Sequence, residues 1–266
     1  MGYVMAFVDR MPTSVQAFVK DALPFSHWGM TYFNIRLMEY ALADGMFGDV
    51  LRRGGARALD VGCGLGLAAT YLSNFFTYVD GTDLDHVDAA FAGGRPAVAV
   101  GGELVQRIGL HNISLHCGDS LAFLEARPET YDLIFSHFVL EHVENIDALA
   151  GAMARALKPG GRAFHIVPNT HDTIIQLLTR NLEPVAQNAR AAWRVRNAKE
   201  RVDGRLQGTL FTPVTHSEFI SDYRTQFDVN ASERYLFPIL ESGLIVRDMK
   251  PMREHAYGIL AEKPGN

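Results

Sequence analysis

From about residue 57 onward, short apolar runs alternate with stretches of helical periodicity. The runs at 58–61, 78–82, 113–117, 133–136 and 163–167 have the length and the flanks of buried strands. Between them, 68–75, 103–108 and 146–157 read as helices. Such alternation predicts a parallel sheet covered on both faces, with ligand at the carboxyl ends of its strands. Towards the C-terminus the pattern changes. A helix over 233–242 ends at Gly243, and the runs 244–249 and 256–262, joined through Lys250-Pro251, predict an antiparallel pair closing one edge.

Two segments stand outside that alternation. Residues 1–56 are mostly helical, including 31–43 with no internal Gly or Pro. Residues 170–230 separate the fifth strand from the last helix, far more than a usual connection, so they are expected to carry structure and function of their own. The chain shows neither an internal repeat nor a low-complexity tract.

Composition narrows the class. A chain of 266 residues can bury a core as one domain with an elaboration, and 48% hydrophobic with 21% charged residues is ordinary globular composition. A formal charge of −5 argues against binding nucleic acid by general electrostatics. The only cysteines, Cys63 and Cys117, lie in expected strand-to-loop motifs, which argues against a disulfide framework. No apolar run is long enough to span a membrane, and the stretch 3–8 lacks the basic start of a signal peptide. The expected location is the cytoplasm.

Chemistry enters at the end of the first strand. Asp60 is followed by Gly62, Gly64 and Gly66, a turn that lets backbone approach a ligand closely beside a helix N-terminus. A dinucleotide fingerprint needs Gly or Ala at position 67, where Leu67 stands, and this disfavours a nicotinamide oxidoreductase. Asp83 ends the second strand, 21 residues after Gly62, where a carboxylate can accept both hydroxyls of a ribose.

The acid-x-Gly-x-Gly-x-Gly pattern resembles the first motif of class I S-adenosylmethionine-dependent methyltransferases of the small-molecule type. Further motifs follow in that family's order: Tyr78-Val-Asp-Gly-Thr-Asp-Leu-Asp85, Cys117-Gly-Asp-Ser120, Tyr131-Asp-Leu-Ile-Phe-Ser-His137 and the turn Leu157-Lys-Pro-Gly-Gly161. The resemblance covers roughly residues 57–169 and 232–264. It implies a Rossmann-like α/β fold with a seven-stranded sheet and an antiparallel last strand. It divides the chain into a helical lid (1–56), a core (57–169 and 231–266) and an inserted substrate cap (170–230). S-adenosylmethionine is the implied cofactor, and S-adenosylhomocysteine the product. Asp60 would hold the methionine end through its ammonium group or a water, and Asp119 would contact the adenine amino group. Gly62, Cys63, Gly64, Leu84, Ser120 and Ser136 would line the same site. Tyr32 and Arg36, spaced i, i+4 in the lid, could reach the methionine carboxylate.

The expected reaction is in-line displacement at a sulfonium methyl, in which the protein mainly positions the acceptor and excludes water. A hydroxyl acceptor also needs a base, and His137 and His142 are the candidates near the fourth strand. His142 is expected one and a half turns into the following helix. Oxygen is preferred over nitrogen because of these histidines, and because Ser136-His137-Phe138-Val139 replaces the Asn/Asp-Pro-Pro-Tyr/Phe motif typical of exocyclic amine methylation. A small-molecule N-methyltransferase and a non-catalytic S-adenosylmethionine-binding subunit are the alternatives. Leu140-Glu-His-Val143 resembles part of a Glu-x-x-Glu-His set in metal-using ubiquinone-type O-methyltransferases, but Phe138 stands for the first Glu, so no metal is expected. His171, Asp172, His27 and His216 are further candidates for the rim.

Within 180–205 seven basic residues face three acids, +4 locally against −9 for the rest. The cap could thus attract an anionic, phosphorylated or glycosyl acceptor, with Trp193 packing or stacking beside it. Expected partners are a small-molecule acceptor and a second copy of the chain, with neither nucleic acid nor membrane.

Overall fold

The computed structural model describes residues 7–26, 29–84, 95–168, 235–253 and 256–265. Seven strands form one sheet in the order β3-β2-β1-β4-β5-β7-β6. They are β1 (Gly55–Val61), β2 (Phe76–Asp83), β3 (Ile113–Cys117), β4 (Tyr131–His137), β5 (Leu157–Pro168), β6 (Ile245–Arg253) and β7 (Ala256–Glu262). The first five are parallel, and β7 runs antiparallel between β5 and β6. This is the seven-stranded α/β sheet with an antiparallel last strand that the alternation and the motifs implied. Chain order reverses at β1 and β4, which leaves a crevice above their carboxyl ends.

Alternation along the strands sends side chains into two cores. On one face, Phe135 and Phe164 join α1 (Thr13–Ala22), α2 (Met30–Met46), α3 (Leu67–Leu72) and α4 (Ala97–Arg107) through Phe18, Phe33, Leu37, Leu72 and Leu104. On the other, Leu59, Ile134 and Ile259 meet α5 (Ser120–Glu125), α6 (Ile146–Ala156) and α7 (Phe237–Glu241) through Leu124, Leu149, Met153 and Ile239. The N-terminal helices α1 and α2 therefore share one continuous core with the sheet.

Several boundaries differ from the sequence reading, each for a physical reason. Helix α4 begins just after Pro96 and runs through Gly101 and Gly102, which propensity alone would have excluded. A Cβ at Gly101 would lie 2.4 Å from the Leu65 carbonyl oxygen, so the glycine lets α4 approach the glycine turn. Lys158-Pro-Gly-Gly161 lies inside β5, where pairing jumps from Tyr131–Leu157 to Leu133–Arg162. Lys250-Pro251, expected as a turn, lies within β6 opposite Gly258 and Tyr257. Proline is tolerated there because β6 is an edge strand with irregular register. His142 is not in an α-helix: 140–142 form a single 3-10 turn, and α6 starts only at Ile146, capped by the Asn145 side chain on Ala148 N.

Candidate active site

Strand β1 delivers Asp60 to the crevice, where the chain turns through Gly62, Gly64 and Gly66 at φ of 68°, 51° and 87°. All three lie in the left-handed region that favours glycine. Gly62 N and Cys63 N both donate to the Thr82 carbonyl, tying the turn to β2. A Cβ at Gly62 would strike Val139 at 2.3 Å, and one at Gly66 would strike Leu115 at 2.9 Å. At Gly64 it would meet nothing nearer than Asp83 Oδ2 at 4.0 Å. The turn is thus walled in at its ends and open in its middle, towards Asp83.

Asp83 Oδ2 accepts from Gly64 N at 2.6 Å and Oδ1 from Leu84 N at 2.8 Å. Those bonds fix the carboxylate plane. Leu84 beside it is 58% exposed, an apolar side chain presented to solvent at the rim. Gly118 N donates to the Asp83 carbonyl, which brings the end of β3 alongside. There Asp119 caps α5, accepting from Leu121 N and Ala122 N, and Ser120 bonds to the Thr82 hydroxyl at 2.9 Å.

Asp60 is buried, with Oδ2 accepting from Ala69 N at 3.0 Å. Burial pushes its carboxyl up to about 8, a rise the Ala69 bond opposes and the Asp83 charge reinforces. Cys63 is buried too, and burial, with Asp60 and Asp83 nearby, raises its thiol well above the ordinary range. It packs the turn, and the raised thiol pKa disfavours the thiolate.

The other wall comes from α2 and the end of β4. Arg36 Nη1 lies 3.1 Å from Glu39 Oε2 and 3.2 Å from His137 Nε2, and Glu39 Oε2 lies 3.0 Å from the same Nε2. The guanidinium sits over the rings of Tyr32 at 5.3 Å and Phe138 at 4.8 Å. Burial works against its charge, but Tyr32 and Glu39 more than offset this, so its pKa is raised. The His137 ring is stacked on Phe138 and edged by Tyr40. Burial raises the Tyr40 phenol well above its usual range, with Asp60 as the next cause, so it stays protonated.

The structure thus gathers Tyr32, Arg36, Asp60, Gly62, Cys63, Gly64, Asp83, Leu84 and His137 around one crevice, with Asp119 and Ser120 at its β3 end. One expected member, Ser136, points elsewhere, and His142 lies on the 3-10 turn beyond β4. The Ser136 hydroxyl is fully buried and bonded to His165 Nδ1 at 2.7 Å, among the residues of the α5–α7 face. The His142 side chain is 48% exposed, 4.0 Å from Glu141. His27, His171, Asp172, Trp193, His216 and the basic residues of 180–205 lie outside the described residues. Among the described residues, no three metal-ligating side chains converge, and no helix is long and apolar enough to cross a membrane.

Glu39, Tyr40 and Phe138 escaped the sequence reading. Glu39 had a signal: it is the only charged residue between Arg36 and Asp44, within an otherwise apolar helical run. Phe138 had none, because its left-handed φ of 53° is set by the turn leaving β4.

The cradle suits a nucleoside-bearing amino acid with a cationic centre. It combines an acid aligned by the glycine turn that could accept hydroxyls, a buried acid that could meet an ammonium group and an arginine that could meet a carboxylate. Comparison with known proteins agrees. A family model described as a methyltransferase domain matches residues 30–215. The ubiquinone biosynthesis O-methyltransferase of Thiobacillus denitrificans is 25% identical over 189 residues, covering 67% of this chain and 76% of that protein. Its namesake in Vibrio cholerae is 30% identical over 137 residues, covering 48% of this chain, so the chain spans only 46% of that protein's length. The crystal structure of a SAM-dependent methyltransferase from Aquifex aeolicus superposes with a TM-score of 0.50 at 16% identity, over 82% of this chain and 88% of that one. At that identity the likeness speaks for the fold.

Proposed function

The chain belongs to the methyltransferase domain family and uses S-adenosylmethionine, and from that premise we propose that it methylates a hydroxyl oxygen of a small-molecule acceptor. The observation that carries the oxygen reading is an imidazole, His137, held at the β4 end of the crevice against a fully buried carboxylate. An oxygen acceptor must lose its proton as it attacks, and a neutral imidazole takes protons near pH 7. His142, half exposed on its 3-10 turn, is the poorer base. The O-methyltransferase relatives support the same reading.

Asp83 would accept the ribose hydroxyls, Leu84 would cover one face of the base, and Asp119 would reach the adenine amino group. Asp60 would receive the ammonium group, and Arg36 the carboxylate through nitrogens that make no bond among the described residues. Bound there, S-adenosylmethionine supplies an activated methyl group on a sulfonium that leaves as a neutral thioether. The remaining work belongs to the chain. Tyr40, Phe138 and Val139 close the crevice against water, and His137 takes the acceptor's proton. The local +4 of residues 180–205 supports an acceptor bearing an anionic substituent.

Radiolabelled methyl transfer to catechol and to o-phenylenediamine, two acceptors of the same shape, tests the reading. Labelling of catechol alone is expected, with 3,4-dihydroxybenzoate the better substrate at low salt. Labelling of the diamine alone would overturn it in favour of nitrogen. His137→Asn is expected to lower kcat on catechol by about 100-fold or more.

A further inference from the structure

The Glu39 side chain is 0% exposed, on the face of α2 that meets β4. Among the described residues His137 Nε2 lies at bonding distance from Glu39 Oε2, an acceptor, at 3.0 Å, and from Arg36 Nη1, a donor, at 3.2 Å. One ring nitrogen carries either a proton or a lone pair, so it satisfies only one of them. A lone pair on Nε2 would face a carboxylate oxygen at close range, and in this buried setting that repulsion is strong. A proton on Nε2 makes a charge-assisted bond to Glu39, while Arg36 Nη1 serves the same oxygen at 3.1 Å. The second arrangement satisfies both donors. It leaves the ring's lone pair on Nδ1.

We infer that Glu39 is a positioning residue that holds His137 in the Nε2–H form and raises its basicity, so that Nδ1 takes the acceptor's proton. The inference deepens the oxygen-transfer reading and rests on it for its catalytic part. The balance is simple. The hydroxyl proton passes to Nδ1, and an oxygen lone pair forms the new O–C bond. The S–C bonding pair stays on sulfur, which becomes neutral. The positive charge lost at sulfur reappears on the imidazole, where Glu39 compensates it against the opposing charge of Arg36. The i, i+3 pair Arg36–Glu39 thereby has two tasks, one towards the cofactor's carboxylate and one towards the base.

Nitrogen-15 NMR of histidine-labelled, ligand-free enzyme tests the positioning directly, with His137→Asn assigning the signals. The Nε2–H tautomer of His137 is expected in the wild type, and a mixture in Glu39→Gln. An unchanged tautomer would overturn the inference whatever the acceptor proves to be. Kinetics with S-adenosylmethionine and catechol then test the catalytic part. In Glu39→Gln the acid limb of kcat should move to lower pH, and the plateau should fall roughly 10- to 100-fold with KM for S-adenosylmethionine little changed. Adding Glu39→Gln to His137→Asn should cost nothing further, because both act through one imidazole. A loss confined to KM would place Glu39 behind Arg36 alone and overturn the base-positioning role. Labelling of the diamine alone would remove the oxygen reading, while the tautomer would still decide what Glu39 does to the ring. If Glu39→Gln fails to fold, Glu39→Asp keeps the charge but withdraws it by one methylene, and the same tautomer shift is expected.

Discussion

At the residue scale the crevice depends on acids whose environments differ. Asp83 is half-buried and already aligned by Gly64 N and Leu84 N, so in the proposed role it would need little reorganisation to meet a ribose. Asp83→Ala should weaken S-adenosylhomocysteine by about 2–3 kcal/mol, read as a rise in Kd of roughly 30- to 150-fold by calorimetry. Asp60 works in the opposite regime. In the folded chain its carboxyl holds a proton up to about pH 8, whereas after unfolding it ionises near its ordinary 3.8. The folded state therefore binds more protons across that window, so this group's contribution to stability falls as pH rises through it and levels off above. His165 has the reverse sign: burial lowers its pKa from 6.5 to about 4, so its contribution is full above 6.5 and is lost as pH falls towards 4. The two oppose each other below 6.5, and only Asp60 of the pair acts between 6.5 and 8. The Tm of ligand-free wild type, relative to Asp60→Asn, should decline over that upper interval. A flat difference would remove the raised Asp60 from the account.

At the element scale, α2 must be held rigidly if Arg36 and Glu39 are to meet His137. Asp44, buried at the C-terminal end of α2, accepts from Leu51 N at 2.8 Å, Arg52 N at 3.2 Å and the Tyr71 hydroxyl at 2.8 Å, and pairs with Arg52 Nε at 3.1 Å. It fastens α2 both to the loop entering β1 and to α3. Asp44→Ala orphans buried donors and should cost about 3 kcal/mol in urea unfolding. Adjacent glycines of α4 provide an internal control. A Cβ at Gly101 would collide with Leu65 O at 2.4 Å, whereas at Gly102 it would meet nothing within 4 Å. Gly102→Ala should therefore stabilise by about 0.5–1 kcal/mol, and Gly101→Ala should destabilise despite the same gain in helix propensity.

At the scale of the molecule, the N-terminal helices cannot be treated as a detachable lid. Val15, Phe18, Phe33 and Leu37 are fully buried in the same core as Phe135 and Phe164 of the sheet. Deleting residues 1–54 would strip that face of the sheet and expose an apolar patch too large for a soluble monomer. The truncated chain should aggregate or lack a cooperative thermal transition by circular dichroism. A well-folded truncation would show that the helices act as a separate lid after all.

The sequence by itself determined the layout: strand–helix alternation, the glycine turn after Asp60, the acid at the end of β2 and the antiparallel closing pair all follow from local pattern and spacing. Such features are legible because period and turn chemistry act between near neighbours along the chain. Only the tertiary structure decided how the crevice is furnished. Glu39 meets His137 across 98 residues of sequence. Ser136, one position from His137, turns instead to His165 on the other face of the sheet, as the two-residue period of a strand requires. Two glycines that disfavour a helix sit inside α4, one of them because α4 must touch the glycine turn. Local propensity carries no term for a contact between distant segments, so the partners of the imidazole exist only once the chain has folded.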